Sequence, residues 1–479
     1  MPESRPNIIL FITDQQRGDC VGIDPCAPEA LQTPNLDWIG RTGTHFRRGY
    51  SECPSCIPAR RSLMTGTAPA ANGVVGFQGV EWNTAHTLPG ELSRAGYQTQ
   101  LIGKLHLHPV RKRYGFDHML LADATRGREN DYVDWLRDQH GRTEVDPGMA
   151  HGVSANGWVG RPHHLPEEQM HTFWCIDQAM TFLKKRDPTV PFFLKISMID
   201  PHPPFTPPGF YYDRYIQRDL PGPVVGDWAP AFDGPQKGLD PNASRICLDE
   251  NDMRCSRAAY YGMVNFIDEQ IGRLYQHARG VLENCLIIFT SDHGEMLGDH
   301  NLFRKTWPYE ASARIPFIVR APKSWGYPEE AVCDSPVGLQ DIMPTVLDAA
   351  GLEVPETCTG KSLLPIMRGE SERVRDLLHG EHAGCYEYEQ GNQYITDGHH
   401  KYIWYTQTGT EHLFNLDEDP NEMHDLALEA ARLAPWREKL IGFLKDRPEG
   451  FTDGQKLIVG QEHRNLMPGY DPDRMYPFV

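Results

Sequence analysis

One stretch of the chain, residues 53–66, combines residue types that could act together on an anionic group. Pro58 suits the first turn of a helix, because the backbone N–H that proline lacks would have no partner there. Cys56 would then lie just ahead of this helix, where unpaired N–H groups and the helix dipole favour an anion. Arg60 follows about one turn later, so its guanidinium could point back towards Cys56. The spacing therefore predicts that a nucleophile, an anion-favouring helix end and a fixed positive charge meet at one place.

The cysteines of this stretch have other interpretations. Cys56 could be a buried structural residue, and Cys53 and Cys56 together could form a redox pair or half of a zinc site. A second Cys-x-x-Cys that would complete a zinc site does not occur in the sequence, and the Pro58-Ala-Arg60 that follows fits neither alternative. The chain has 11 cysteines without a framework spacing, which is typical of free thiols in a reducing compartment.

Four predicted strands each end in side chains that can ionise or bind a metal. The strands are residues 8–12, 97–102, 192–199 and 286–290. The residues that follow them are, in chain order, Asp14 and Gln15, Lys104 and His106, Asp200 and His202, and Asp292 and His293. Ligands of open α/β sheets bind just outside the carboxyl ends of the strands. If the four strands are parallel neighbours, all of these side chains face one crevice.

Part of this set could bind a metal ion. Asp14, Gln15, Asp292 and His293 offer two carboxylates, an amide oxygen and an imidazole. The oxygen ligands suit a hard cation such as Ca²⁺, Mg²⁺ or Mn²⁺, whereas the imidazole favours a borderline metal. The sequence therefore predicts a divalent cation at the ends of the first and fourth strands.

Composition limits the classes of function. The chain has 479 residues, of which 39% are hydrophobic and 23% charged, as in ordinary soluble globular proteins. A net charge of −18 argues against nucleic-acid binding and requires a local cationic cluster for any anionic substrate. No apolar run approaches the ~20 residues of a membrane span, so no membrane partner is expected. The sequence shows no signal peptide, which predicts a cytoplasmic protein, and it leaves self-association open.

The pattern of predicted strands and helices changes near residue 366. Strand and helix patterns alternate before it, with an insertion at the site mouth over residues 115–170 and a proline-rich ordered loop over 203–235. The insertion is predicted to contain a short helix near residues 132–139. Beyond it, alternating stretches predict antiparallel strands and a closing helix over 426–445. We therefore predict a catalytic domain, 1–365, with a large mixed, mainly parallel sheet, and a C-terminal α+β subdomain, 366–479.

The stretch from Cys56 to Gly66 resembles the sulfatase signature, Cys-x-Pro-x-Arg followed by a Thr-Gly ending. The resemblance continues over nearly the whole chain, in residues 5–8, 33–37, 291–300, 314–317 and 413–422. It identifies the chain as similar to the formylglycine-dependent type I sulfatases of the alkaline phosphatase superfamily. The fold it implies is an alkaline-phosphatase-like α/β/α sandwich with a small C-terminal subdomain on an antiparallel sheet.

The resemblance also implies a cofactor and a modification. In this family a formylglycine-generating enzyme oxidises the cysteine, here Cys56, and the hydrated aldehyde is the nucleophile. One divalent cation, usually Ca²⁺, would be held by Asp14, Gln15, Asp292, His293 and the modified Cys56. The commonest family pattern has Asp-Asp and Asp-Asn at the paired positions. This sequence departs from that pattern, which leaves Mn²⁺ and Mg²⁺ as alternatives to Ca²⁺.

The remaining roles follow from the same resemblance. Lys104 and Lys305 would hold the sulfate oxygens, and Arg60 would orient the reactive group on residue 56. His202 would protonate the leaving oxygen of an aryl or carbohydrate sulfate ester. His106 would take a proton at residue 56 so that sulfate is expelled.

Two other hypotheses about function compete with the sulfatase hypothesis. A phosphonate monoester or phosphodiester hydrolase of the same superfamily would share the Asp14-Gln15 and Asp292-His293 pairs, but the pair Lys104 and His106 favours a sulfate ester. A degenerate, non-catalytic relative would leave Cys56 unconverted, although every expected catalytic position is filled here.

Overall fold

Alternating strands and helices build most of the molecule in the computed structural model, which describes residues 5–123, 130–144, 146–229 and 240–474. The strands are β1 (Asn7–Thr13), β2 (Thr44–Phe46), β3 (Gly49–Tyr50), β4 (Gln98–Gly103), β5 (His118–Leu121), β6 (Phe192–Ser197), β7 (Cys285–Ser291), β8 (Phe317–Arg320), β9 (Ala331–Cys333), β10 (Val337–Gly338), β11 (Leu378–His382), β12 (Asn392–Thr396), β13 (His400–Tyr405) and β14 (Glu411–Asn415). The helices are α1 (Pro34–Arg41), α2 (Cys56–Thr65), α3 (Pro69–Asn72), α4 (Leu88–Arg94), α5 (Asp131–His140), α6 (His171–Lys185), α7 (Gly209–Ile216), α8 (Glu250–Leu282), α9 (Glu310–Ala313), α10 (Ile342–Ala349), α11 (Leu364–Met367) and α12 (Ala430–Leu444).

The main sheet carries the site. Within the described residues it has eight strands in the order β5-β4-β6-β1-β7-β8-β2-β9. The strands from β5 to β7 are all parallel, whereas β8 runs antiparallel to both of its neighbours. The prediction of a mixed, mainly parallel sheet is therefore confirmed. The four strands predicted to end in polar residues are the four adjacent strands β4, β6, β1 and β7.

Helices cover both faces of this sheet, because alternate residues of its central strand are apolar on both sides. In β1, Ile8, Leu10 and Ile12 pack on the side of α2, α4 and α10. Ile9 and Phe11 pack on the side of α1, α6 and α8. A strand buried on both faces is the expected partner of two helical layers. The α/β/α sandwich is thus confirmed.

A separate sheet lies in the C-terminal part of the chain. Its strands pair antiparallel in the order β11-β12-β13-β14. One face, with Tyr402 and Trp404, packs on α12. The other face, with Tyr394 and Ile403, packs on Tyr50 and neighbouring residues of the first part of the chain. The antiparallel C-terminal sheet is confirmed, while the boundary between residues 365 and 366 stays a prediction.

Two segments outside the predicted strands contain regular structure. The proline-rich segment 203–235, predicted as a loop, includes helix α7, and its residues 230–235 lie outside the described residues. The segment 115–170 supplies β5 at the edge of the main sheet and helix α5, which confirms the helix predicted near residues 132–139. Edge strands are short and half exposed, which gives them a weak apolar pattern. Among the described residues, no helix combines the length and apolarity that crossing a bilayer requires.

Candidate active site

The carboxyl ends of β4, β6, β1 and β7 lie level with one another. Gly103 at the end of β4 is paired with Ser197 of β6, and Thr13 at the end of β1 is paired with Ser291 of β7. A Cβ on Gly103 would lie 2.0 Å from the carbonyl oxygen of Ser197, and its φ is +99°. Only glycine fits such a close approach, which brings the following Lys104 over the sheet edge. The predicted site residues therefore do converge at one edge.

Cys56 is at the centre of this group. Helix α2 begins at Cys56 itself, with Ser55 in the N-cap position, so the cysteine lies in the first turn and not just ahead of it as expected. Its Sγ is 3.2 Å from Nε2 of His293 and 3.1 Å from Nζ of Lys305. Burial and Asp14 oppose a thiolate, but Lys104, Lys305 and His293 outweigh them and lower the pKa of Cys56 to about 6.

Four buried side chains form a group that fits a metal ion. The ligand atoms of Asp14, Cys56, Asp292 and His293 all lie within 4.8 Å of one another. Nε2 of His293 lies 3.5 Å from Oδ1 of Asp14 and 3.5 Å from Oδ1 of Asp292. Burial opposes a charge on this ring, but Asp292 and Cys56 outweigh it and raise the pKa of His293. Two carboxylates, a thiol and an imidazole this close and fully buried favour a cation bound between them.

The electrostatics of the two aspartates support the same conclusion. Burial and the neighbouring Asp14 raise the pKa of Asp292, which means that the surrounding cations do not fully offset its charge. Burial also opposes ionisation of Asp14, but the charges of Lys104 and Lys305 lower the pKa of Asp14 well below its usual value. An additional cation bound between the two carboxylates would stabilise both as anions.

Gln15 borders the metal-binding group. Its backbone N–H donates to Oδ1 of Asp292 over 3.1 Å, and its side-chain oxygen accepts from Nζ of Lys305 over 3.1 Å. Its amide nitrogen contacts Oε2 of Glu295. Gln15 has a φ of +70°, a conformation that persists in a non-glycine residue only where its surroundings hold it. Its predicted role as a metal ligand stays a prediction.

Arg60 and Lys104 face the carboxylates from the side of the sheet. Nε of Arg60 donates to Oδ2 of Asp292 over 2.8 Å, and its NH1 donates to Oγ of Ser197 over 2.8 Å. Lys104 forms an ion pair with Oδ2 of Asp14. The guanidinium of Arg60 thus lies in the site, but its hydrogen bonds go to these groups and not to Cys56.

His202 and Lys305 form the opposite wall. Nζ of Lys305 donates to Nε2 of His202 over 2.9 Å, and Nδ1 of His202 donates to the carbonyl oxygen of Pro203 over 2.7 Å. Burial and the charge of Lys305 lower the pKa of His202 well below its usual value. The imidazole is therefore neutral and fixed in orientation, with Nε2 directed into the site beside the lysine that touches Cys56.

His106 lies further along the wall that begins at Lys104. Its backbone N–H donates to Oδ2 of Asp123 over 2.7 Å, and its ring packs edge-on against Phe77 at 5.9 Å. Burial and Lys104 lower the pKa of His106 to about 3. Its buried Nδ1 has no hydrogen-bond partner within the described part of the chain. Phe77, which is 39% exposed, is a neighbour of His106 that its sequence context did not single out.

Sequence reasoning also missed how the loop that carries Lys305 is held. Non-glycine residues with positive φ are concentrated there, at Leu297, His300, Asn301, Arg304 and Thr306. The buried carboxylate of Glu295 accepts from the backbone N–H of Leu297 over 2.9 Å and of Arg304 over 2.5 Å. The sequence feature that could have revealed this is Glu295 itself, which lies within residues 291–300. A buried carboxylate needs several hydrogen-bond donors, and here the backbone of the loop supplies them.

Comparison with known proteins agrees with this geometry. The Sulfatase family model matches residues 6–352. A second model, described as N-sulphoglucosamine sulphohydrolase, C-terminal, matches residues 298–445. The first match alone spans more than half of the chain and includes Cys56 and the other predicted site residues.

Individual relatives are similar over nearly their full length. An arylsulfatase of Clostridium perfringens (strain 13 / Type A) is 40% identical, over 95% of this chain and 98% of the relative. The multifunctional alkaline phosphatase superfamily protein PehA of Trinickia caryophylli is 30% identical, over 94% and 99%. The crystal structure of a phosphonate monoester hydrolase of Agrobacterium radiobacter superposes with a TM-score of 0.75 at 26% identity, over 91% and 95%. The chain therefore belongs to the sulfatase family of the alkaline phosphatase superfamily and is a sulfuric ester hydrolase.

Proposed function

We propose that this enzyme hydrolyses aryl or carbohydrate sulfate esters through residue 56, after oxidation of Cys56 to formylglycine. The observation that carries the proposal is the position of Cys56 in the first turn of α2, between Lys305 and the three other members of the buried metal-binding group. When formed, the hydrated aldehyde supplies a hydroxyl that accepts the sulfuryl group. The arylsulfatase relative and the sulfatase family model support this substrate class.

The burial of Cys56 bears on its modification. The side chain is 1% exposed, and Asp14, His293 and Lys305 lie against its sulfur. A modifying enzyme could not reach it without opening the site. We infer that a formylglycine-generating enzyme, the proposed partner, acts on residues 56–60 before the chain folds.

We propose that Asp14, Gln15, Asp292, His293 and residue 56 hold one divalent cation, Ca²⁺ in the first place and Mn²⁺ or Mg²⁺ as alternatives. Carboxylate and amide oxygens favour Ca²⁺ and Mg²⁺, and the imidazole of His293 admits Mn²⁺. Such a cation would lower the pKa of the hydroxyl on residue 56 and stabilise negative charge on the transferred group. Arg60 maintains Asp292 in position for it.

The cations of the site then account for binding of the anionic ester. Lys104 and Lys305 would contact the sulfate oxygens and offset the charge of the transition state. Arrival of the anion beside His202 adds negative charge where Lys305 now opposes protonation, so it raises the proton affinity of the imidazole. His202 could then protonate the leaving oxygen, and His106 would remove the proton at residue 56 that release of sulfate requires.

We also propose that the protein works in a reducing compartment, the cytoplasm, because of its cysteines. All 11 cysteines are free, and several of them, such as Cys20, Cys53 and Cys175, are buried as single thiols in the core. Free thiols in this number are typical of intracellular proteins.

The metal assignment predicts a specific loss. Asp292→Asn removes one buried charge at nearly constant volume, so stoichiometric metal should be lost on dialysis, together with activity. Elemental analysis and kcat would be measured on the same sample. Asp334→Asn is the matched control, because Asp334 forms a half-exposed ion pair with Arg47 and its replacement should keep both metal and activity. Active wild-type protein without stoichiometric divalent metal would exclude the assignment.

The substrate class is tested by comparing kcat/KM for different types of ester. Purified protein with a measured formylglycine content should turn over 4-nitrophenyl sulfate and sulfated monosaccharides with higher kcat/KM than phenyl phosphonate esters or phosphodiesters. The similarity to a phosphonate monoester hydrolase makes the phosphonate the second candidate. A preference of kcat/KM for the phosphonate would replace the proposed function by this alternative.

A further inference from the structure

The segment that leads into Cys56 is held by strands β11 and β12 of the C-terminal sheet. The hydroxyl of Tyr394, in β12, donates to the carbonyl oxygen of Ser51 over 2.8 Å. The backbone N–H of Glu381, in β11, donates to the carbonyl oxygen of Glu52 over 2.7 Å. These contacts fix the backbone upstream of the nucleophile from a sheet that contributes no proposed catalytic residue of its own.

The last residue of β11 makes a side-chain contact next to the nucleophile. Nε2 of His382 is 2.7 Å from Oγ of Ser55, and both residues are fully buried. Nδ1 of His382 donates to the carbonyl oxygen of Ala383, so Nε2 is the acceptor and the Ser55 hydroxyl is the donor. Burial lowers the pKa of His382 to about 4, which agrees with a neutral ring.

This hydrogen bond changes what Ser55 does for helix α2. A serine in the N-cap position ordinarily turns its oxygen towards the N–H groups of the first turn. Ser55 makes no such side-chain bond, because its hydroxyl is directed at His382. The backbone N–H groups of the first turn, which begins with Cys56, therefore have no side-chain cap from Ser55.

Strand β12, the neighbour of β11, also holds the loop that carries Lys305. Asn392 pairs with His382 across β11 and β12. Its Nδ2 donates to the carbonyl oxygen of Thr306 over 3.3 Å, and the N–H of Thr306 donates to the carbonyl oxygen of Pro54 over 2.8 Å. Thr306 directly follows Lys305. One cross-strand pair thus reaches both the start of α2 and the loop of the lysine that touches Cys56.

We propose that His382, with Asn392 beside it, is a positioning residue for catalysis. It orients Ser55 and residue 56, and so fixes the nucleophile relative to Lys305 and the metal-binding group. The proposal rests on the proposed function of residue 56 but is independent of which ester is cleaved. Misplacement of a reacting group by about 1 Å can cost about 10²-fold in rate, so a contact one residue from the nucleophile can affect kcat strongly.

The test compares variants of the complete enzyme after the preferred ester of the wild type is known. His382→Ala and Ser55→Ala should each lower kcat by about 10- to 100-fold with little change in KM. The double variant should be no slower than the slower single variant, because both changes remove the same hydrogen bond. His382→Gln should recover most of kcat, since its side-chain oxygen can accept from Ser55. Each kcat is divided by the formylglycine content found by mass spectrometry, which separates positioning from incomplete modification.

His379→Ala is the matched control. His379 lies on the same strand, is hydrogen-bonded to Gln393 and stacks on Phe443, away from Ser55. It should lower stability without lowering kcat. A His382→Ala effect on kcat no larger than that of His379→Ala, or independent and multiplicative effects of Ser55→Ala and His382→Ala, would overturn the proposal. If His382→Ala does not fold, Ser55→Ala alone carries the test, and a kcat of Ser55→Ala no lower than that of His379→Ala would overturn the proposal. Absence of sulfate turnover by the wild type would instead refute the proposed function.

Discussion

Replacing Cys56 with alanine should abolish turnover and leave the fold intact. Alanine cannot be oxidised to an aldehyde, so the enzyme would lose its nucleophile and one member of the metal-binding group. Loss of a nucleophile from a working site typically costs on the order of 10⁴–10⁶-fold in kcat. The fold should persist, because alanine is favourable in the first turn of α2 and the thiol makes polar contacts rather than apolar packing.

Cys53→Ala is the matched control for this prediction. Cys53 is a fully buried cysteine three positions upstream, and burial raises its pKa well above the usual value. The substitution removes the same atoms, yet it should leave turnover of an aryl sulfate nearly unchanged. Urea unfolding would report stability, and the peptide that contains residue 56 would report modification by mass. Full activity of purified Cys56→Ala protein would refute the proposed nucleophile.

Much of this site could be predicted from sequence because its residues follow buried parallel strands. Asp14, Lys104, His202 and Asp292 lie within three residues of the ends of predicted strands, and the parallel order β4-β6-β1-β7 places these ends side by side. The apolar pattern of each strand depends on local sequence alone, and so it could be recognised without the fold.

Other features depend on contacts that local sequence does not encode. The antiparallel direction of β8 is set by its neighbours in the sheet, and the same apolar run would suit either direction. His382 lies 327 positions from Ser55, at the end of an alternating strand that gives no sign of its partner. Arg60 was expected to point at Cys56, but its Nε and NH1 donate to the carboxylate of Asp292 and the hydroxyl of Ser197.

His202→Ala should slow the cleavage of alkyl and sugar sulfates by about 10²–10⁴-fold, the usual contribution of a general acid. The effect on activated aryl sulfates should be much smaller, because a leaving phenoxide with electron-withdrawing groups needs little protonation. The measurement is the dependence of log(kcat/KM) on the pKa of the leaving group. Its slope should become steeper in the variant, since charge on the leaving oxygen is no longer neutralised by a proton.

Lys305 explains why the result should be specific to the leaving group. Its Nζ contacts Cys56, Gln15 and His202, so it would remain available to the sulfate oxygens after His202 is removed. Binding of the ester, and hence KM, should change much less than kcat. A variant that lost affinity equally for all esters would indicate that His202 acts through Lys305 and not on the leaving group.

His106→Ala provides the contrasting variant, because its proposed role begins only after the leaving group has departed. The first turnover of an activated aryl sulfate should be fast, and the enzyme should then stall before sulfate is released. Rapid-mixing kinetics would show a burst of the phenol equal to the concentration of active sites, followed by a slow phase. His202→Ala should show no burst with an unactivated ester, since the first step has become limiting. Equal losses for activated and unactivated esters in both variants, without a burst in either, would contradict this division of roles and require another source for the two proton transfers.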